Sequence, residues 1–171
     1  MDDPLRVLIA DDETIIRLDL RDLLERQGIR VCGEARDGEE AVALARTLEP
    51  DAVLLDVRMP KLDGIAAARR IYAERPVPIV MLTAFADRAS IDRAIEANAF
   101  SYLVKPFREQ DVAAALRTAV ARHDELLRAR RAIGEKPQRE VVLGLRSTSG
   151  GAWPNLRLGR EPDGSLRVDT E

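Results

Sequence analysis

The chain has 171 residues, enough for one well-buried domain and an appendage, with 46% hydrophobic and 33% charged residues, as in ordinary soluble proteins. A net charge of -3 gives no basic footprint for nucleic acid and no strong pull toward anionic membranes. Cys32 is the only cysteine, so an internal disulfide or a multi-cysteine metal site is excluded.

The elements follow in chain order. The acidic start, MDDPLRVLIADDE, has too short an apolar stretch for a signal peptide. No later stretch approaches the roughly 18 consecutive apolar residues of a membrane span, so a cytoplasmic protein is expected. LRVLIA (5–10) reads as a strand that ends abruptly in Asp11, Asp12 and Glu13. A helix over 14–28 follows, with Ile15, Ile16, Leu20, Leu23 and Leu24 as its inner face and Gly28 as its stop. IRVCGEA (29–35) is a second strand. The helix 37–50 carries acids in its first turn, an inner face of Ala41, Leu44, Ala45 and Leu48, and Pro50 at its end. DAVLLDV (51–57) is nearly all apolar, as a central parallel strand covered on both faces should be.

After the loop RMPKLDG, in which Asp63-Gly64 reads as turn and cap chemistry, come a helix (65–75), a buried strand VPIVMLTA (77–84) and a helix (87–99). FSYLVKPF (100–107) is the fifth strand. A long helix (108–133) closes the series, with an apolar stripe of Val112, Leu116, Ala119, Val120 and Leu127 that thins after His123. His123 reads as a surface or interface residue, and Cys32 as a small core residue. Strand–helix alternation of this kind predicts an α/β fold, a doubly wound five-stranded parallel sheet with helices on both faces. Residues 134–171 are poor in apolar side chains and punctuated by Gly, Pro and Ser. They read first as a mobile or loosely docked tail; a small hairpin over 155–169, with Leu156, Leu158, Leu166 and Val168 on one face, is the alternative.

Ligands of open parallel sheets bind beyond the carboxyl ends of the strands. Asp11, Asp12 and Glu13, then Asp56, then Thr83, then Lys105 and Pro106 all stand at such ends. Four carboxylates, a hydroxyl and an ammonium on one sheet edge suit phosphoryl transfer to a carboxylate. Such a nucleophile is already ionised and needs charge neutralisation more than a base. A hard cation such as Mg2+, which takes carboxylate and phosphate oxygens, would explain the crowding of the acids. The plainer reading of Asp11 and Asp12, as acids favourable at a helix start, loses ground once Asp56, Thr83 and Lys105 are counted with them.

LIADDE, LLDVRMPKLDG, VMLTA and YLVKPF are similar in order and spacing to the receiver domain of two-component response regulators, over roughly residues 4–125. The resemblance implies a flavodoxin-like sheet of order 2-1-3-4-5 and a phosphoacceptor at Asp56. It implies Mg2+ held directly by Asp12 and Asp56, through water by Asp11, and by the backbone carbonyl of Arg58. It makes Thr83 and Lys105 the phosphate-binding switch pair and Tyr102 the switch aromatic, which swings inward as Thr83 moves. It also implies a cis peptide at Lys105-Pro106, a state tolerated chiefly before proline. The implied partner is a sensor histidine kinase or phosphotransfer protein. The implied output is a changed surface on helix 87–99, strand 100–107 and helix 108–133, serving homodimerisation or a partner. Such a domain is not an enzyme beyond its own phosphorylation and dephosphorylation. Phe85 should flank the acyl phosphate and obstruct the hydrolytic water.

RVLIADDE-x-IIR-x-DL, GEA-x-DG-x-EAV and PIV-x-LTAF further resemble the receivers of ANTAR antiterminator regulators. Those continue into a three-helix RNA-binding domain. Residues 134–171 lack its helical periodicity and any basic patch, which argues against nucleic acid as a partner. Two alternatives remain in view: an antiterminator with a degenerate output, and a haloacid-dehalogenase-type phosphatase. The phosphatase class wants D-x-D-x-T after its first strand, where this chain has adjacent acids.

Overall fold

The computed structural model describes residues 3–84, 89, 92, 99, 101–133, 156–160 and 166–170. Five strands form one parallel sheet of order β2-β1-β3-β4-β5: β1 (Arg6–Ala10), β2 (Arg30–Ala35), β3 (Ala52–Asp56), β4 (Ile79–Thr83) and β5 (Ser101–Val104). The expected doubly wound receiver sheet and its strand order are therefore observed. The described helices are α1 (Thr14–Arg26), α2 (Gly38–Leu48), α3 (Gly64–Glu74) and α4 (Glu109–Ala132). Of the helix expected over 87–99, only Ala89, Asp92 and Ala99 fall among the described residues.

Burial follows from the sequence pattern. The central strands β3 and β4 are buried at every position, which is why they read as unbroken apolar runs. One sheet face packs against α2 and α3 through Leu8, Val53, Leu55, Ile65, Ile71 and Met81. The other packs against α1 and α4 through Ile9, Leu20, Leu24, Leu54, Leu82 and Leu116. Each inner side chain removed from water in such a core contributes about 1.5–3 kcal/mol.

Local chemistry sets the helix starts. Asp37 accepts a hydrogen bond from the Glu40 N–H at 2.8 Å and caps α2. Asp63 does the same for α3 through Ala66 N–H at 2.9 Å, the capping role its sequence position suggests. Two glycines then bring loops into close contact. A Cβ on Gly38 would collide with the Leu62 carbonyl, and one on Gly64 with the Asp56 carbonyl. Gly64 thus lets α3 begin directly against the end of β3.

Three expectations change. Ile15 is 72% exposed, not on the inner face of α1. It lies five residues before Leu20, and at about 100° per residue that turns it well away from the buried stripe. His123 is 5% exposed, not a surface residue. The stripe on α4 continues through it, because α4 reaches α3 and sets the imidazole edge-on to Tyr72, with ring centroids 6.5 Å apart. Cys32 is only half-buried, at a register shift where Val31 pairs with Val7 and Gly33 with Leu8.

Beyond α4 the described residues are two antiparallel strands, β6 (Leu156–Arg160) and β7 (Leu166–Thr170), with Leu158 opposite Val168.

Candidate functional site

The carboxyl ends of β1, β3, β4 and β5 gather the expected residues. β1 stops at Ala10, and the turn that leaves it buries Asp11 completely while Asp12 stays exposed. β3 delivers Asp56, 6% exposed. β4 delivers Thr83, also 6% exposed, and its carbonyl accepts the Lys105 N–H at 2.8 Å. This bond places Lys105 just past β5, at the cis Lys105-Pro106 peptide.

Lys105 is the hub. Its Nζ lies 2.6 Å from Asp11 Oδ2, 3.1 Å from Asp56 Oδ1 and 4.0 Å from Glu13 Oε1. Glu13 is mostly solvated. The Asp11 carboxylate also accepts the Glu13 N–H at 2.9 Å, and Asp56 Oδ2 accepts the Arg58 N–H at 3.2 Å. Both buried carboxylates are thus held on two sides, as a buried charge requires.

The charge balance is uneasy. Burial pushes the Asp56 carboxyl up; the Lys105 ammonium pulls it down, and Asp11 and Asp12 push it up again, to about 6. Burial disfavours the Lys105 ammonium too, but the Asp11 hydrogen bond and the charges of Asp56 and Asp11 outweigh it and raise the lysine above its ordinary value. A single ammonium serves several acids, and a second cation would relieve Asp56.

The donor set fits one. Carboxylate oxygens of Asp11, Asp12 and Asp56 lie within 4.8 Å of one another. Two oxygens on opposite sides of Mg2+ are about 4.2 Å apart, so this spacing suits direct or water-bridged ligation with small shifts. The set is all hard oxygen, and exposed Asp12 leaves a side open to the waters Mg2+ retains.

Tyr102 is 9% exposed and already packed in the core face that carries Met81 and Ala99. Pro106 is exposed after the cis bond. Phe85 lies outside the described residues.

Two further contacts support the turns around the site, and the motifs that contain these residues do not reveal them. Arg17 donates to the Asp11 backbone carbonyl at 2.8 Å and pairs with Glu34 at 3.4 Å. Lys61, in the left-handed region at φ 65°, donates to Asp37 at 2.8 Å and ties the β3–α3 loop to the start of α2. This pair, with the Glu40 N–H, holds the Asp37 carboxyl below the usual range.

The family model described as response regulator receiver domain matches residues 7–117. The chain is 50% identical over 123 residues to the transcriptional regulatory protein PdtaR of Mycobacterium tuberculosis, over 72% of this chain and 60% of that protein. It is 39% identical over 112 residues to the chemotaxis protein CheY of Thermotoga maritima, over 65% of this chain and 93% of CheY. The solved signal receiver domain of a modulated diguanylate cyclase from Desulfovibrio desulfuricans G20 superposes with a TM-score of 0.68 at 34% identity, covering 72% of this chain and 99% of that one. The chain thus spans 60% of the length of PdtaR.

Proposed function

The chain belongs to the response regulator receiver family of two-component systems, and from that premise we propose that Asp56 accepts a phosphoryl group from a sensor histidine kinase or phosphotransfer protein. The carrying observation is that Asp56 is buried between Lys105 and a cluster of acids with cation-site spacing. In the transfer a bond forms between an Asp56 carboxylate oxygen and phosphorus. The bond from phosphorus to the donor atom breaks, and the leaving group keeps the electron pair. Asp56 needs no base, because it attacks as the carboxylate. Mg2+, held by Asp12, Asp56 and the Arg58 carbonyl and through water by Asp11, would neutralise the charge of the phosphoryl oxygens.

Lys105 pairs with one phosphoryl oxygen and Thr83 donates to another. The phosphoryl group adds a charge of about -1.5 to -2 and new acceptor oxygens, which draw these two side chains inward. Tyr102, beside β4 and already buried, follows Thr83 and holds the altered face. That face comprises residues 87–99, β5 and α4, and it serves homodimerisation or a partner protein. Residues 4–125 act as the receiver unit; 126–171 carry or restrain the output. The protein works in the cytoplasm and catalyses only its own phosphorylation and dephosphorylation. No helix among the described residues is long and apolar enough to cross a membrane. The name of PdtaR, a transcriptional regulator, favours transcription as the process controlled.

The test is intact mass after incubation with a small phosphodonor and Mg2+, on wild type and Asp56→Asn, with sizing chromatography of each. One added phosphoryl group in wild type alone is expected. No phosphorylation of a folded, Mg2+-loaded protein would leave a receiver-shaped interaction domain.

A further inference from the structure

β1 stops at Ala10 and α1 begins at Thr14, so the Asp11 carbonyl lies in the turn between them. Three other groups of Asp11 are fixed. Its N–H donates to the Ala35 carbonyl at 3.1 Å, one carboxylate oxygen accepts from Glu13 N–H, and the other from Lys105. Its carbonyl accepts from Arg17 Nη1 at 2.8 Å. That carbonyl belongs to the peptide plane from which Asp12 departs. The Asp12 carboxylate itself is exposed, and no hydrogen bond among the described residues holds it.

The Arg17 side chain is 13% exposed and is itself restrained. Nη2 donates to Thr14 Oγ1 at 3.3 Å, and Nε donates to Glu34 Oε2 at 3.4 Å. Glu34, on β2, also pairs with Arg21 of α1. A guanidinium is a planar fork, and here three of its edges meet three acceptors from the turn, the helix and the neighbouring strand. An ammonium is a point donor and cannot span them.

We propose that Arg17, braced by Glu34, is a positioning residue for cation binding: it locks the Asp11–Asp12 peptide so that the Asp12 carboxylate faces Asp56. This inference rests on the reading of the acidic cluster as a Mg2+ site. It concerns a side chain that touches neither metal nor phosphate. Groups that orient metal ligands from behind typically change affinity by 10–100-fold when removed.

Charge and position predict different results. Arg17 is a cation near a cation site, so if it acted through charge alone, its removal would tighten Mg2+ binding, and Arg17→Lys would change nothing. If it positions Asp12, both Arg17→Lys and Arg17→Met weaken binding. The experiment is a Mg2+ titration of the full chain followed by backbone amide NMR shifts, with urea midpoints confirming that each variant is folded. For Arg17→Lys the Mg2+ Kd is expected to rise on the order of 10-fold. Arg21→Lys, which disturbs only the outer side of Glu34, should leave it unchanged.

Should both Arg17 variants fail to fold, Glu34→Ala in 1 M KCl decides the matter, since alanine removes the acceptor that braces Arg17. There the Debye length is about 3 Å and a bare charge effect is largely screened. Weakened binding that persists supports positioning, and wild-type affinity overturns it. The two readings fail separately. A wild-type protein that binds no Mg2+ removes the metal site itself, whereas normal wild-type binding with unchanged variants removes only the role of Arg17.

Discussion

Replacing the phosphoacceptor should make the metal-free protein more stable. Asp56 is 6% exposed and its carboxyl is pushed up from 3.8 to about 6, so the folded state binds its proton more tightly than the unfolded state. Holding the ionised form in the fold therefore costs about 3 kcal/mol above pH 6, at about 1.4 kcal/mol for each unit. The sign follows from linkage: the stability owed to the protonated group is fully present below pH 3.8 and is lost as pH rises through about 6. Asp56→Asn removes the charge at nearly constant shape. Lys105 keeps its 2.6 Å bond to Asp11 but loses the 3.1 Å contact to Asp56, which trims the gain. In EDTA at pH 7.5 the variant should gain about 1–3 kcal/mol in urea unfolding, and at pH 5 roughly half of that. Adding Mg2+ should then stabilise wild type more than the variant and narrow the gap. A variant that is less stable than wild type at pH 7.5, or a gain independent of pH, would refute the account of Asp56 as a strained carboxylate.

Three further outcomes are expected. His123 is buried beside Tyr72; burial lowers its pKa, Asp124 pulls it back up, and Arg130 and Arg75 lower it further. The stability that neutral His123 supports is present above its ordinary pKa of 6.5 and is lost as pH falls through the lowered value, so wild type should lose more stability than His123→Phe between pH 7.5 and 5. Parallel urea curves check this; a difference that does not change with pH removes it, since Asp56 is common to both proteins. Gly64→Ala would drive a methyl group into the Asp56 carbonyl and should destabilise by about 1–3 kcal/mol while slowing phosphorylation, read by unfolding and by intact mass. Phe85→Ala should speed loss of the phosphoryl group from isolated phosphoprotein severalfold by admitting water, and an unchanged decay rate would end that idea.

The sheet was legible because its signals are redundant. Each buried strand is a short apolar run, the first three helices carry start or stop signals, and right-handed crossovers leave few topologies. Where only one weak signal operated, the reading slipped. Ile15 is apolar and near the right period, but a five-residue step misses the stripe, so polarity alone misassigned it. His123 carries a polar ring, which suggested a surface place; the tertiary contact with Tyr72 was invisible because α3 and α4 are far apart in sequence.

The site divides along the same line. Asp11, Asp12, Asp56, Thr83 and Lys105 were readable because each stands where a strand ends, and strand ends converge by topology. Arg17, Glu34, Asp37 and Lys61 lie inside the quoted motifs, but their contacts were not readable, since they act from a helix face, a strand interior and two loop positions with no common address. Yet these are the groups that answer why three acids can crowd there at all. Lys105 neutralises Asp11 and Asp56 from within the pocket. Arg17 bonds the Asp11 backbone from behind, and Lys61 ties the loop after Asp56 to the cap of α2. Donors reach both the Asp11 backbone and the buried carboxylates, yet one ammonium is shared between Asp11 and Asp56, so the fold fixes the acids in place without discharging them. A buried carboxylate at about 6 beside an exposed Asp12 is the electrostatic consequence. The same residual negative charge draws in a cation, which the pocket needs before an anionic phosphoryl group can approach.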